Sequence, residues 1–358
     1  MSRRIQIVEP TLDGFSGHCY AMVVSLCRSL KVQTDIWAAK GAESLNFGPI
    51  ASVHALFYRR LRLLQQVWLY RRLLAQGHPV VVTTARRSDL MALDWVAGQV
   101  LPELRVFLYF HWYRESPKRF RFLQKMAARQ PNLVIFGTTP SVVDLFTRAG
   151  FSNAHLLPYP ASTSISQNDC VPFSKLLYAG AARQDKGFRQ VVDLVGMLAD
   201  IKENIPLAVQ ISADHFGKLD PATREDIERL RRIGYGPLRL IEETLSPAEY
   251  SAQYSGSICL QPYDRDEFRD RVSGVTLDAL AAGCPIVTTA GTWMSRLIEP
   301  YRAGVAVDTP TAGKIYDAVK TMIADYAQFQ SRAWMAGRAQ KQDSWEPLTR
   351  LLMVSSKR

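Results

Sequence analysis

The chain has 358 residues, 47% of them hydrophobic, and a formal net charge of +11. That length suffices for two domains with a core each, and the charge suits an anionic partner: nucleic acid, a membrane surface or a phosphorylated substrate. No apolar run reaches the roughly 18 residues of a membrane span, and the lack of any zinc-finger, helix-turn-helix or RNP-like pattern argues against nucleic acid.

The N-terminus Met1-Ser2-Arg3-Arg4 leads directly into Ile5-Gln6-Ile7-Val8, a strand over 4–8 and too short for a signal peptide, so a cytoplasmic location is expected. A turn bearing Gly14 and Gly17 follows, then an apolar helix over 20–30. A glycine turn between a first strand and helix is a ligand-binding place in doubly wound sheets. Cys19 and Cys27, eight apart at helical spacing, read as core positions. With Cys170, Cys259 and Cys284 they form no Cys-x-x-Cys and no zinc spacing, so all five are expected as buried thiols of a reducing compartment, with no metal site. A Leu- and Arg-rich helix is expected over 55–75, its arginines pointing several ways. Strands follow over 79–84 and 105–110. The second ends at His111, where a strand runs out and ligand residues of open α/β sheets collect.

Ser116-Pro117 then makes a good helix start. On that helix Lys118, Arg121, Lys125 and Arg129 recur on one face, with Phe120, Leu123, Met126 and Ala127 roughly opposite. Such a face beside aromatics suits peripheral docking on an anionic membrane surface; an ordinary solvated face is the alternative. A strand over 132–141 is expected to be the last of the first half. The polar run 161–169 marks the boundary.

The second half opens on Lys175-Leu176-Leu177-Tyr178-Ala179-Gly180, a strand and glycine turn, followed by Arg183 and Lys186-Gly187. Two cations after a glycine turn and before a helix form a diphosphate-binding arrangement, since Arg grips oxygens bidentately and Lys adds a point charge. Strands over 207–212 and 238–241 follow, then Ser246-Pro247-Ala248-Glu249, a helix start with cap, proline and capping glutamate. Ser257-Ile258-Cys259-Leu260 is a buried strand. A helix begins near Ser273-Gly274 and stops at Gly283, ahead of Pro285. Its N-terminus, with Gly274, Val275 and Thr276, presents free N–H groups to a phosphate. Asp278, one turn in, can accept hydrogen bonds from sugar hydroxyls. An anion beside a polyol describes a nucleotide sugar.

The stretch Asp270 to Val287, with Leu277-Asp278-Ala279-Leu280-Ala281-Ala282-Gly283-Cys284-Pro285-Ile286-Val287, resembles the E-x7-E region of retaining GT-B glycosyltransferases of family 4. Both glutamates are aspartate here. Gly180-x-x-Arg183-x-x-Lys186-Gly187 is similar to the family's G-x-x-R-x-x-K-G, and Ser344-Trp345-Glu346 to its S-W-E segment. The resemblance implies an α/β fold of two doubly wound Rossmann-like domains facing across a cleft: an acceptor-side domain over 1–160, a nucleotide-sugar domain over 161–335, and a C-terminal helix over 336–358 crossing back to the first. It implies Gly14 and Gly17 on the acceptor side. It puts Arg183, Lys186 and the N–H groups of Gly274, Val275 and Thr276 on the donor diphosphate, and Asp278 on the ribose. His111 and Asp270 act on the donor sugar. The expected activity is retaining, metal-independent transfer from a nucleoside-diphosphate sugar, without a cofactor, to a glycan or lipid-linked acceptor. A catalytically inactive nucleotide-sugar-binding subunit and another enzyme on the scaffold, such as a sugar-nucleotide epimerase, are the alternatives.

Overall fold

The computed structural model describes residues 4–15, 18–160, 170–212, 219–243, 245–340 and 345–354. The chain divides into two compact units, one of residues 1–160 with 343–358, the other of residues 161–342. No helix among the described residues is long and apolar enough to cross a membrane.

In the first unit the elements run β1 (Arg4–Glu9), α1 (His18–Ser29), β2 (Gln33–Ala39), β3 (Ala51–Phe57), α2 (Arg62–Gln76), β4 (Val80–Val82) and α3 (Arg87–Ala97). Then come β5 (Val106–Phe110), α4 (Pro117–Arg129), β6 (Val134–Gly137), α5 (Pro140–Arg148) and β7 (Ala154–Leu156). The strands form a parallel sheet in the order β3-β2-β1-β4-β5-β6-β7. Both faces are covered. On β5, Val106, Leu108 and Phe110 enter one core and Phe107 and Tyr109 the other, so the strand is apolar throughout, as a central parallel strand must be. Cys19 and Cys27 lie in the second of these cores.

The second unit runs β8 (Lys175–Tyr178), α6 (Phe188–Asp200), β9 (Leu207–Gln210), α7 (Pro221–Arg232), β10 (Leu238–Ile241), α8 (Pro247–Ala252) and β11 (Ser257–Gln261). It continues α9 (Gly274–Ala281), β12 (Ile286–Thr289), α10 (Trp293–Ile298), β13 (Gly304–Val307), α11 (Ala312–Ala324) and α12 (Tyr326–Ala339). Its parallel sheet has the order β10-β9-β8-β11-β12-β13. The capping box expected at Ser246 and Glu249 is present. A last helix, α13 (Glu346–Val354), buries Leu348 and Leu352, with the preceding Trp345, in the core of the first unit beside Met22 and Leu26. The Trp345 indole donates to Ser25 Oγ at 2.9 Å.

Four expectations change. The helix expected over 55–75 begins at Arg62, because Ala51–Phe57 is an edge strand whose His54 stacks on Trp37 of the neighbouring strand, ring centroids 4.4 Å apart. The strand at β6 is not the last of its sheet: Ala154–Leu156 adds β7 in register with Ile135–Gly137. The helix expected over 336–358 is two helices. Ala336 and Gly337 are buried in α12, where a Cβ on Gly337 would stand 2.4 Å from the Leu280 carbonyl oxygen of α9, so only α13 joins the first unit. Finally, Cys170 is exposed, since it precedes β8 outside any packed element, while the other four thiols are buried.

Candidate functional site

In the second sheet the strand order reverses between β8 and β11. The crevice beyond the strand ends at such a point is where open α/β sheets receive ligands. The loop after β8 and the start of α9 meet there. Gly180 follows β8 with φ +90°, and its N–H donates to Gln210 Oε1 at 2.7 Å. A Cβ on Gly180 would lie 3.2 Å from Lys186 Nζ and 3.3 Å from Val275 Cγ2. Gly187, at φ +67°, is held more tightly: its Cβ would fall 2.0 Å from the Pro262 carbonyl oxygen. No L side chain fits, and the close approach brings Lys186 to the segment leading into α9.

The charges there are shared. Arg183 Nε donates to Asp185 Oδ1 at 2.8 Å, and its Nη2 donates to the other carboxylate oxygen. Arg271 Nη1 reaches that same Oδ2 at 3.3 Å and stacks its guanidinium 4.9 Å from the Phe268 ring centroid. Lys186 is pushed down to about 8, chiefly by burial and then by the neighbouring Arg183, with Asp185 opposing and Arg271 adding to the fall. Three cations thus gather around one carboxylate, and the excess is positive. At the start of α9, Ser273 has extended backbone and makes no side-chain cap bond. A Cβ on Gly274 would meet nothing within 4 Å. The helix therefore opens with unclaimed N–H capacity and room in front of it, which is what an anion needs.

Of the residues expected at the donor, Arg183, Lys186, Gly274 and Val275 come together. Thr276 does not face this space. Its hydroxyl is fully buried, donating to Gln261 Oε1 at 2.7 Å, and its N–H bonds the Ser273 carbonyl at 3.1 Å. Asp278 accepts from the Tyr250 hydroxyl at 3.4 Å, which in turn accepts from the Tyr254 hydroxyl at 2.5 Å. Asp270 pairs with Arg296, Oδ1 to Nη2 3.0 Å. Arg271, Asp185 and Tyr250 were not singled out in the sequence. Arg271 lay within the stretch that drew attention, but its partner Asp185 is 86 positions away, a pairing only the topology reveals.

In the first unit the order reverses between β1 and β4, and a polar cluster marks the place. Glu9, fully buried at the end of β1, accepts from the Thr11 N–H at 3.1 Å, from the Thr83 hydroxyl at 2.8 Å and from the Thr84 hydroxyl. His111, just past β5, sets its Nε2 2.8 Å from the Thr83 carbonyl oxygen, so that nitrogen donates and the ring is oriented. Tyr109 and Tyr159 meet the imidazole edge-on, at 4.8 and 5.3 Å between centroids. Gly14 stands in the turn after β1 with open space around its Cβ position; Gly17 lies outside the described residues. On α4, Leu123, Met126 and Ala127 are buried. Lys118, Arg121, Lys125 and Arg129 are exposed, Arg129 bonded to Asp94 at 2.9 Å. Among the described residues no group of three or more His, Cys, Asp or Glu is placed to hold a metal ion.

No family model matches the chain, and no curated protein sequence matches it. Solved structures do match. The sucrose-phosphate synthase of Thermosynechococcus elongatus is 16% identical with a TM-score of 0.68, over 99% of this chain and 98% of that one. HepE of Anabaena, solved with UDP and glucose, is 12% identical with a TM-score of 0.69, over 99% of each. WaaG, a glycosyltransferase involved in lipopolysaccharide biosynthesis, is 11% identical with a TM-score of 0.66, over 98% of this chain and 99% of that one. At these identities the likeness is one of fold, and the fold is GT-B.

Proposed function

We propose that this protein is a glycosyltransferase that binds a nucleoside-diphosphate sugar and transfers the sugar to a glycan or lipid-linked acceptor with retention of configuration, as family 4 enzymes do. One observation carries the reading: Arg183, Lys186 and Arg271 gather beside the unclaimed N-terminus of α9, at the reversal of strand order. Two guanidiniums, an ammonium and helix N–H groups match a diphosphate, whose charge rises as the glycosidic bond breaks. These cations are assigned the role a metal ion would otherwise take on the leaving group, and no cofactor is invoked. Asp278, held by Tyr250, is assigned to the ribose hydroxyls. His111 and Asp270 are assigned to the donor sugar, as the family resemblance implies. HepE, with UDP and glucose bound, has the same fold and supports this class of ligand.

The reading extends to location. Lys118, Arg121 and Lys125 are exposed on α4, a helix without a carboxylate, and suit peripheral attachment to an anionic membrane that carries the acceptor. The test of the activity is release of nucleoside diphosphate from a panel of nucleotide sugars, followed by assignment of the anomeric centre in the product. Slow release without acceptor supports an enzyme. The ion pair between Asp270 and Arg296 favours one second reading, an inactive nucleotide-sugar-binding subunit, because it engages a carboxylate assigned to catalysis. Tight binding with no release in any condition would select that reading.

A further inference from the structure

Helices α2, α3 and α4 cover one face of the seven-stranded sheet: Leu69 and Leu73, then Leu90 and Leu93, then Leu123 and Met126 all enter the same buried cluster. Helical spacing then fixes what the three show on the other side. Leu64 and Trp68 of α2 point away from the sheet, as do Met91 and Trp95 of α3 and Arg121 and Lys125 of α4. Leu64 is 69% exposed, Trp68 51% and Trp95 73%. Leu61 joins them, lining with Leu56, Leu64, Gln65 and Trp68 an apolar groove of about 330 Å³. Scattered apolar side chains are ordinary on a surface, but Leu61, Leu64 and Trp68 share one groove on α2, and the neighbouring α3 exposes Met91 and Trp95 as well, so this side of the unit asks for a partner.

The charges narrow the partner. Neither α2 nor α4 carries a carboxylate. On α3, Asp89 is buried and Asp94 is bonded to Arg129. Arg71 and Arg72 are exposed one turn beyond Trp68, with the Arg72 guanidinium 5.6 Å from the Trp68 ring centroid. A second copy docked face to face would set these arginines and the α4 cations against themselves. The complementary surface is apolar within and anionic at its rim. We infer that α2 and α3 insert into the interface of an anionic phospholipid bilayer: Leu61, Leu64, Trp68, Met91 and Trp95 enter the acyl boundary while Arg71, Arg72 and the α4 cations bind headgroup phosphates. This deepens the attachment through α4 proposed above, turning a purely electrostatic contact into an inserted one, and it stands without any nucleotide bound.

The experiment is sedimentation with phosphatidylcholine vesicles, with and without phosphatidylglycerol, at low and high salt. A contact made by charge alone is released at high salt, whereas an inserted one keeps a salt-resistant fraction. Leu64→Gln with Trp68→Gln should weaken high-salt binding by more than about tenfold. It should leave the protein folded, with an unfolding temperature close to that of the wild type, since neither side chain belongs to the buried cluster. Trp68→Phe should bind like the wild type, with less quenching of tryptophan fluorescence by brominated lipid. Absence of binding to the anionic vesicles would overturn the inference, as would complete release by salt or equal binding by the double variant. Dimerisation that the double variant abolishes would assign the face to a second copy instead. Vesicle binding without nucleotide-sugar binding would refute the proposed activity and leave this face standing; the reverse would refute the face alone.

Discussion

Lys186 offers a titration that no surface lysine would give. Burial beside Arg183 and Arg271 brings it to about 8, against an ordinary value of 10.5. A bound diphosphate favours the ammonium, so the ligand takes up a proton with it wherever the free lysine is neutral. Below about pH 8 the group is already charged and affinity is at its plateau. Above it, dissociation constants should rise by close to tenfold per pH unit until the raised value in the complex is reached, giving roughly tenfold weaker binding near pH 9 than near pH 7. The ligand should be a nucleoside-diphosphate sugar, whose diphosphate is a diester and stays fully ionised over this range. Calorimetric titration across the range reads the effect directly. Lys186→Arg should flatten the profile, since guanidinium does not titrate there. Lys186→Met should weaken binding at pH 7 by about 10- to 150-fold, the loss of a charge-assisted contact of roughly 1.5–3 kcal/mol. It should also raise the unfolding temperature of the free protein, because a charge held below its ordinary value costs stability wherever it remains protonated. A wild-type affinity constant through pH 9 would refute the placement of Lys186 on the ligand.

Asp185→Asn removes the one carboxylate that holds the Lys186 value up, so the midpoint of the same pH profile should move down; an upward move would contradict the shared charge cluster. Arg271→Ala should weaken nucleotide-sugar binding as strongly as Arg183→Ala, about tenfold or more, and unchanged affinity in either titration would remove that residue from the site. Trp345→Ala should destabilise the first unit by about 3–5 kcal/mol, read by chemical denaturation, because Trp345 is 2% exposed and bonded to Ser25. Changing Lys118, Arg121, Lys125 and Arg129 together to glutamine should reduce low-salt binding to anionic vesicles without altering nucleotide affinity; equal vesicle binding would exclude α4 from the contact.

The glycine turn after β8 and the helix from Gly274 to Ala281 were legible because each rests on local grammar: the left-handed Gly180 and Gly283, and the proline stop at Pro285. Apolar runs such as 106–110 likewise announced buried parallel strands. What escaped was set by distance or by position in a sheet. Ala51–Phe57 is an edge strand, half-buried and merging into a helical pattern, so periodicity carried the helix too far back. β7 has three residues, too few to show a period. Asp185 carried no signal of its own in the sequence, because one of its two arginines, Arg271, comes from a loop 86 positions away. Thr276 looked like a donor ligand, yet at the second helical position after Gly274 it faces β11 and bonds Gln261, an orientation that the motif alone does not reveal. The exposed apolar side of α2 was hidden because its arginines mask any clean face, and only the buried set Leu69, Tyr70 and Leu73 shows which side is out.

The central claim is that the strand reversal in the second sheet holds the diphosphate of a sugar nucleotide. Calorimetric titration of a panel of nucleoside-diphosphate sugars, each beside its nucleoside monophosphate, tests it most directly. The account predicts that at least one diphosphate sugar binds, that the matching monophosphate binds at least about tenfold more weakly for want of one charge-assisted contact, and that Arg183→Ala with Lys186→Ala abolishes the heat. Binding of no member, or binding that survives the double substitution in a folded protein, would contradict it.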